Sequence, residues 1–377
     1  MMRVGIIGNY GHDNNGDEAI LSGILTQLNT LGIRKGEIVI FSNNPSNTES
    51  RYNIKAVPLL HKKGNFILSV LHTVKQSFKI MKDLDLLIIG GGGLLMDMYK
   101  RDAPLYSTLG LLGYYAKCRV VIYGVGAGPI TTKAGKFFIK TLANKADSIS
   151  VRDVKSKELL KDIGIRKEID IIGDPAFAIE PVRKRSKTNE LKKVAVTAVP
   201  YFSKQYWPQR DDSKYEAYVK GMAQNLDELI EKKGATVTFF STKYPQDVEV
   251  TREIYDMMTY KQFVRIKGEN LHPDEIVKLC AEQDLIIGTR LHSLILSVVA
   301  STPVLGVGYH HKVEHFLQAL GKEEHFVEIG ALQEKDTFLQ KVQAMTRQWD
   351  ETQCAYEDLS ETFAQRAAKG LEKLARK

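Results

Sequence analysis

The sequence predicts an α/β protein made of two doubly wound, Rossmann-like domains, and two observations carry that prediction. Short apolar runs ending in Gly, Asp or Ser alternate with helix-period stretches along most of the chain, the signature of βαβ units and parallel sheets. The alternation is interrupted once, over residues 180–190, which are charged, contain Pro181 and have no periodicity. In the first half, strands are expected at 3–7, 38–41, 86–89, 120–123, 148–151 and 169–172. In the second half they are expected at 194–199, 236–240, 263–266, 285–287 and 304–307. This sets an N-terminal domain at 1–180, a linker at 181–192, a C-terminal domain at 193–334 and C-terminal helices at 335–377. After Val307 the pattern reads as helical to the end, so the tail should cover one sheet or cross back to the first half. Two such domains would face a cleft, and ligands of open α/β sheets sit beyond the carboxyl ends of the strands.

Composition narrows the class. The 377 residues are 43% hydrophobic and 26% charged, which describes a globular chain. The longest nearly uncharged apolar segment, 86–96, is too short to span a bilayer, and the N-terminus lacks the features of a signal peptide. Cys118, Cys280 and Cys354 form no motif, so a reduced, cytosolic protein is expected. A net charge of +8 favours anionic partners: phosphorylated metabolites, nucleic acid or an anionic membrane face. Residues 66–81 form an amphipathic stripe with Lys62, Lys63, Lys75, Lys79 and Lys82 on or near it. Such a helix either packs on its own domain with lysines in solvent or lies on an anionic membrane.

The candidate chemistry lies at the strand ends. In the stretch 284–300, an apolar strand ends at Gly288 and runs into a helix with Leu291, Leu294, Ile295, Val298 and Val299 at helical spacing. Thr289 is expected as the N-cap, with Arg290 and His292 in the first turn. Cationic groups at the positive end of a helix suggest a bound anion; the alternative is a solvated Arg and a packed His. The loop 8–18 lacks both the dinucleotide fingerprint and the Walker lysine. There Asp17 and Glu18 either satisfy the helix start, or Asp17 binds a neutral polyol or acts as a base. The four glycines 90–93 would bring backbone N–H groups close to a ligand, and 124–129 end the next strand similarly. Arg152 stands at another joint, with a salt bridge to Asp153 as its alternative role. Asp174-Pro175 reads as a structural turn. The loop 201–210 combines aromatic, amide and cationic groups suited to a sugar or to packing. Tyr309, His310, His311 and Lys312 follow the last expected strand and would lie beside Arg290 if the two strands are neighbours. No carboxylate or cysteine spacing completes a metal site with these histidines, so none is expected. Asp83 and Asp85 sit at the entrance of a strand, the wrong end for a glycosyltransferase metal motif.

Taken together, these residues resemble the polysaccharide pyruvyltransferase family, and most closely its bacterial members acting on secondary cell wall polymers. The matches are Asn15-Gly16-Asp17-Glu18 in the opening loop, Gly90-Gly-Gly-Gly-Leu-Leu, Val151-Arg152-Asp153, Gly173-Asp174-Pro175, and Gly288-Thr-Arg290-Leu-His292 followed by Tyr309-His-His-Lys312. In this order over about residues 3–320 they are specific. The resemblance implies a GT-B-like fold and transfer of pyruvate from phosphoenolpyruvate, as co-substrate and without a cofactor, to sugar hydroxyls as a cyclic ketal. It implies an N-acetylmannosamine-type acceptor on a lipid-diphosphate-linked oligosaccharide, a 4,6-ketal, a role in S-layer anchoring, and a cytoplasmic enzyme with peripheral membrane contact and no nucleic-acid partner. By the same resemblance Arg290, His292 and Asp17 are the catalytic candidates, and Asn15, Gly91, Gly92, Arg152, Tyr309 and Lys312 the substrate-binding ones. His310 departs from the pattern, which has an acidic residue there in many relatives. Phosphoenolpyruvate carries about three negative charges near neutral pH, and Arg152, Arg290 and Lys312 would supply three cations. Two rival readings fit the sequence: a GT-B glycosyltransferase using a nucleotide-sugar, and a basic protein that binds membrane or nucleic acid without catalysis.

Overall fold

The structure, a computed structural model, describes residues 2–98, 101–181, 185–207, 209–309 and 311–375, with the backbone alone for His311, Leu371 and Glu372. His310, Pro208 of the aromatic loop and residues 182–184 of the expected linker lie outside the described residues. The chain divides into two compact units, residues 1–179 with 363–377, and residues 180–362.

The first unit runs β1 (Val4–Ile7), α1 (Asn15–Thr30), β2 (Ile38–Ser42), α2 (Pro45–Tyr52), β3 (Ala56–Pro58), α3 (Phe66–Met81), β4 (Leu86–Gly90), α4 (Asp102–Tyr115), β5 (Arg119–Val125), α5 (Lys133–Lys145), β6 (Ser148–Val151), α6 (Val154–Asp162) and β7 (Asp170–Ile171). Its seven strands are parallel in the order β3-β2-β1-β4-β5-β6-β7. The central strands are buried along their whole length, which is why they read as continuous apolar runs. Asn14 caps α1 by accepting the Gly16 N–H at 3.2 Å, and Ile20, Leu21, Ile24 and Leu28 of that helix are buried against the sheet. The strand order reverses between β1 and β4, so the loops after these two strands frame a switch point.

The second unit runs β8 (Lys193–Thr197), α7 (Asp212–Lys233), β9 (Thr236–Phe239), α8 (Gln246–Met257), β10 (Val264–Ile266), α9 (Pro273–Ala281), β11 (Leu285–Gly288), α10 (Leu291–Val299), β12 (Val304–Gly308), α11 (His311–Leu320), β13 (Phe326–Glu328) and α12 (Thr337–Thr346). Here too every pairing is parallel, in the order β10-β9-β8-β11-β12-β13. The switch point falls between β8 and β11. The helix α13 (Trp349–Lys369) starts in this unit, and the chain returns to the first unit from residue 363, ending in α14 (Leu371–Ala375).

The expectation of two doubly wound domains is met, with four local corrections. β3 and β13 are three-residue edge strands that leave too little periodicity to read, so the chain after Val307 is not helical throughout. The expected linker is not free: its described part belongs to the second unit, because the buried Asp284 carboxylate accepts from the Thr188 hydroxyl and the Lys192 and Lys193 N–H groups, each at 2.8 Å. Arg185 is buried there as well, donating to Gln283 O and Gln353 Oε1 at 2.9 Å. The C-terminal helices are shared between units; in the first, Phe363 packs on Phe177, Gln27 donates to Ala367 O and Arg119 to Leu374 O. Finally Arg290, not Thr289, holds the N-cap of α10, since Thr289 is buried and spends its hydroxyl on Thr197 O at 3.1 Å.

Candidate functional site

The second unit assembles its candidate residues at the β8/β11 switch point. β11 and β12 are neighbours, with Gly288 opposite Gly306, so Arg290 and His292 stand beside Tyr309 and Lys312 at the carboxyl ends of adjacent strands. The start of α10 is fastened to β8: the Thr289 N–H donates to Thr197 Oγ1 at 3.2 Å, and Thr197 Oγ1 donates to Ser293 Oγ at 3.0 Å. Ser293 Oγ in turn donates to Arg290 O at 2.6 Å, which fixes the turn carrying the arginine.

Sequence reasoning missed the partner of Arg290. Asp247, fully buried in the first turn of α8, takes Arg290 Nη2 at 2.6 Å and Nε at 3.2 Å, and its second oxygen accepts the Lys243 N–H at 2.9 Å. Burial opposes the guanidinium charge, but Asp247 outweighs it and holds Arg290 above its ordinary pKa. An aspartate just after Tyr244-Pro245 reads as an ordinary acidic helix start, and nothing in the sequence joins it to an arginine 43 positions on. The pair leaves the two donors of Nη1 as the guanidinium edge turned from Asp247.

The aromatic loop and Tyr309 are one structure. Tyr309 packs on Trp207 at 4.9 Å and on Tyr201 at 5.5 Å, and Tyr201 also touches Tyr218. Tyr201 follows β8 and Tyr309 follows β12, so an aromatic wall stands on both sides of the β11 joint. Tyr309 is partly exposed and Lys312 exposed, leaving a surface that is apolar in part and cationic in part.

The first unit makes an opposite kind of site at its own switch point. Asp17 accepts from Asn9 and Asn14 at 2.9 and 2.8 Å, and Glu18 is buried, accepting the Gly11 N–H and the Tyr52 hydroxyl at 2.8 Å. Burial raises the Glu18 pKa despite these bonds. Asn15 is buried, and Arg51 of α2 donates to its side chain at 2.9 Å. The glycines press against α1: a Cβ on Gly91 would lie 1.8 Å from Ile20, and one on Gly92 would lie 2.9 Å from the Asp17 carboxylate. Both have positive φ, and the Gly91 N–H donates to Tyr123 O, so the run serves close packing as well as any ligand. Gly126 links this loop to Arg152: its N–H donates to Gly92 O at 2.7 Å, and a Cβ there would meet the Arg152 guanidinium at 2.9 Å. Arg152 pairs with Asp153 and Asp174 at 3.4 and 3.5 Å, and Asp153 also caps α6.

These contacts change the expected charge arithmetic. Arg152 belongs to the first unit and is balanced by two carboxylates, while Arg290 is balanced by Asp247. What the second unit offers an anion is therefore a set of oriented donors, Arg290 Nη1, the α10 terminus and Lys312, more than a net charge. No group of three or more His, Cys, Asp or Glu among the described residues could hold a metal ion.

Two parallel sheets, each with a switch point in its strand order and followed by helices, make a GT-B-type α/β fold. Solved structures share that fold: a putative UDP-N-acetylglucosamine 2-epimerase from Listeria monocytogenes at TM-score 0.64 and 13% identity covers 98% of this chain and 94% of its own. Anabaena Alr3699/HepE, in complex with UDP and glucose, follows at TM-score 0.62 and 12% identity, covering 100% and 98%. The family model for polysaccharide pyruvyl transferase matches residues 14–311, and the chain belongs to that family of transferases. The amylovoran biosynthesis protein AmsJ of Erwinia amylovora is 23% identical over 398 residues, 93% of each chain.

Proposed function

We propose that the protein transfers pyruvate from phosphoenolpyruvate to two hydroxyls of a sugar in a polysaccharide precursor, forming a cyclic ketal and releasing phosphate. The observation that carries this reading is the β11–α10 joint, where Asp247 orients Arg290 and His292 stands in the first helical turn beside Lys312. Arg290 Nη1, Lys312 and the helix terminus bind the phosphate and carboxylate. His292 donates a proton to the methylene carbon, and one sugar hydroxyl attacks C2 as its own proton leaves to a base. The C2–O bond to phosphate then breaks, and the second hydroxyl closes the ring with loss of its proton. Asp17 is the candidate for that base that the sequence resemblance supplies. Family membership supports the donor chemistry, and the kinship to an amylovoran biosynthesis protein supports a polysaccharide context. The sequence resemblance supports an N-acetylmannosamine-type residue with a 4,6-diol on a lipid-diphosphate-linked oligosaccharide made at the cytoplasmic face.

The test is incubation with phosphoenolpyruvate and a synthetic lipid-diphosphate disaccharide, with mass spectrometry for the ketal and an assay for phosphate. Substituting His292→Gln should lower turnover by about 10²–10⁴-fold while thermal shift by phosphoenolpyruvate persists. Wild-type phosphate release by that variant would remove His292 as the acid. Stabilisation by UDP- or GDP-sugars and not by phosphoenolpyruvate would favour glycosyl transfer instead.

A further inference from the structure

The first turns of helix α3 have their polarity reversed. Thr73, Ser77 and Met81 are buried and Ile80 packs on the core farther along, while Phe66, Ile67 and Leu71 are 81%, 68% and 61% exposed, and Leu68 and Val70 are exposed as well. A helix that served only to cover the sheet would show the opposite pattern. The tip is nevertheless well built: Asn65 caps it by accepting the Leu68 N–H at 3.0 Å, Ser69 Oγ accepts the Lys63 N–H at 2.8 Å, and Thr73 Oγ1 accepts the His61 N–H at 2.8 Å. Its apolar side chains are therefore presented by an ordered turn. A contiguous apolar patch of this kind on a surface marks an interaction site.

Charge says what covers it. From Leu60 to Lys82 the chain has no Asp or Glu; exposed Lys62 and Lys63 flank the tip, and Lys75, Lys79 and Lys82 are exposed farther along the helix. The neighbouring helices add to it: α3 packs on α4 and α4 on α5, and on α5 Phe137 is exposed between exposed Lys133, Lys136 and Lys140. Since α4 and α5 begin at the carboxyl edge of the sheet and α3 begins after β3, Phe137 and the α3 tip share that edge. An apolar wedge collared by lysines is matched by a surface with anionic headgroups over an acyl layer.

We propose that the tip of α3 docks this protein on an anionic lipid bilayer, with Phe66, Ile67, Leu68 and Leu71 in the headgroup–acyl boundary and the lysines on lipid phosphates. The docking does not rest on the transfer chemistry proposed above. The full chain should cosediment with vesicles of phosphatidylcholine containing about one-third phosphatidylglycerol, and each lysine should strengthen binding about fivefold at low salt. The triple variant F66S/I67S/L71S should bind about tenfold or more weakly with an unchanged melting temperature, because these side chains contribute little to the core. The charge variant K62E/K63E should lose binding to the anionic vesicles in a salt-dependent manner. Failure to cosediment, equal binding to pure phosphatidylcholine, or wild-type binding by the triple variant would overturn the proposal. So would a wild-type dimer in light scattering that the triple variant splits, since a second copy would then cover the tip. Vesicle binding by a chain that makes no ketal would leave this proposal standing and sink the other.

Discussion

The two switch points have the same topology and opposite chemistry. In the second unit the joints after β11 and β12 present a guanidinium, an imidazole and a lysine against an aromatic wall, with the buried carboxylate of Asp247 placed behind the arginine as a brace. In the first unit the joints after β1 and β4 present carboxylates on a glycine bed; of the arginines there, Arg51 donates to Asn15 and Arg152 is held by Asp153 and Asp174. A parallel sheet supplies the same exposed edge in both cases, so the difference comes wholly from the loop residues. One edge offers cationic donors beside aromatic rings; the other offers carboxylates beside glycines.

The sharpest way to break this contrast is to remove Arg290. Substituting Arg290→Ala should lower turnover by about 10²–10³-fold and stability by about 3 kcal/mol, because Asp247 loses its cation in a buried place. The double variant Arg290→Ala/Asp247→Asn should recover the stability and none of the turnover. Denaturant titration and phosphate release read both, and a double variant as unstable as the single one would mean that Asp247 is not the brace.

The glycine bed can be tested next. Gly91→Ala combines a φ of +68° with a methyl 1.8 Å from Ile20, so unfolding free energy should fall by about 3 kcal/mol. A variant of wild-type stability would show that the loop yields, and that its glycines serve a ligand instead.

The smallest expected effect is a pH slope. The Glu18 pKa is raised in the folded state, so between its ordinary value of 4.5 and that higher value the folded chain binds more protons than the unfolded one. Its contribution is thus fully present below pH 4.5 and is lost as pH rises through the folded pKa. Glu18→Gln should remove this part of the slope, leaving the variant gaining relative to wild type as pH rises. Parallel stability curves for the two proteins would deny the shift.

How much of this was legible in the sequence depended on the range of the interaction. The central strands were readable because each buried strand writes its own apolar run; at the edges, β7 and β10 were marked by Ile169, Ile172 and Phe263 beside them, while β3 and β13 wrote too little. The joints with Arg290, His292, Arg152 and the glycines could be found because a strand end is a local event. Thr289 was misplaced as a cap because a threonine before a helix looks the same whether its hydroxyl serves the helix or, as here, the neighbouring strand.

By itself, then, the sequence determined the class of fold, the order of its elements and the strand ends where chemistry could reside, since these follow from periodicity and chain order. Tertiary structure alone decided that Asp247 neutralises Arg290, that Tyr201, Trp207 and Tyr309 form one wall, that the C-terminal tail returns to the first unit, and that α3 turns its apolar side outward. Each of these depends on which distant segment packs against which, and pairings across tens to hundreds of residues leave no local trace in a single chain.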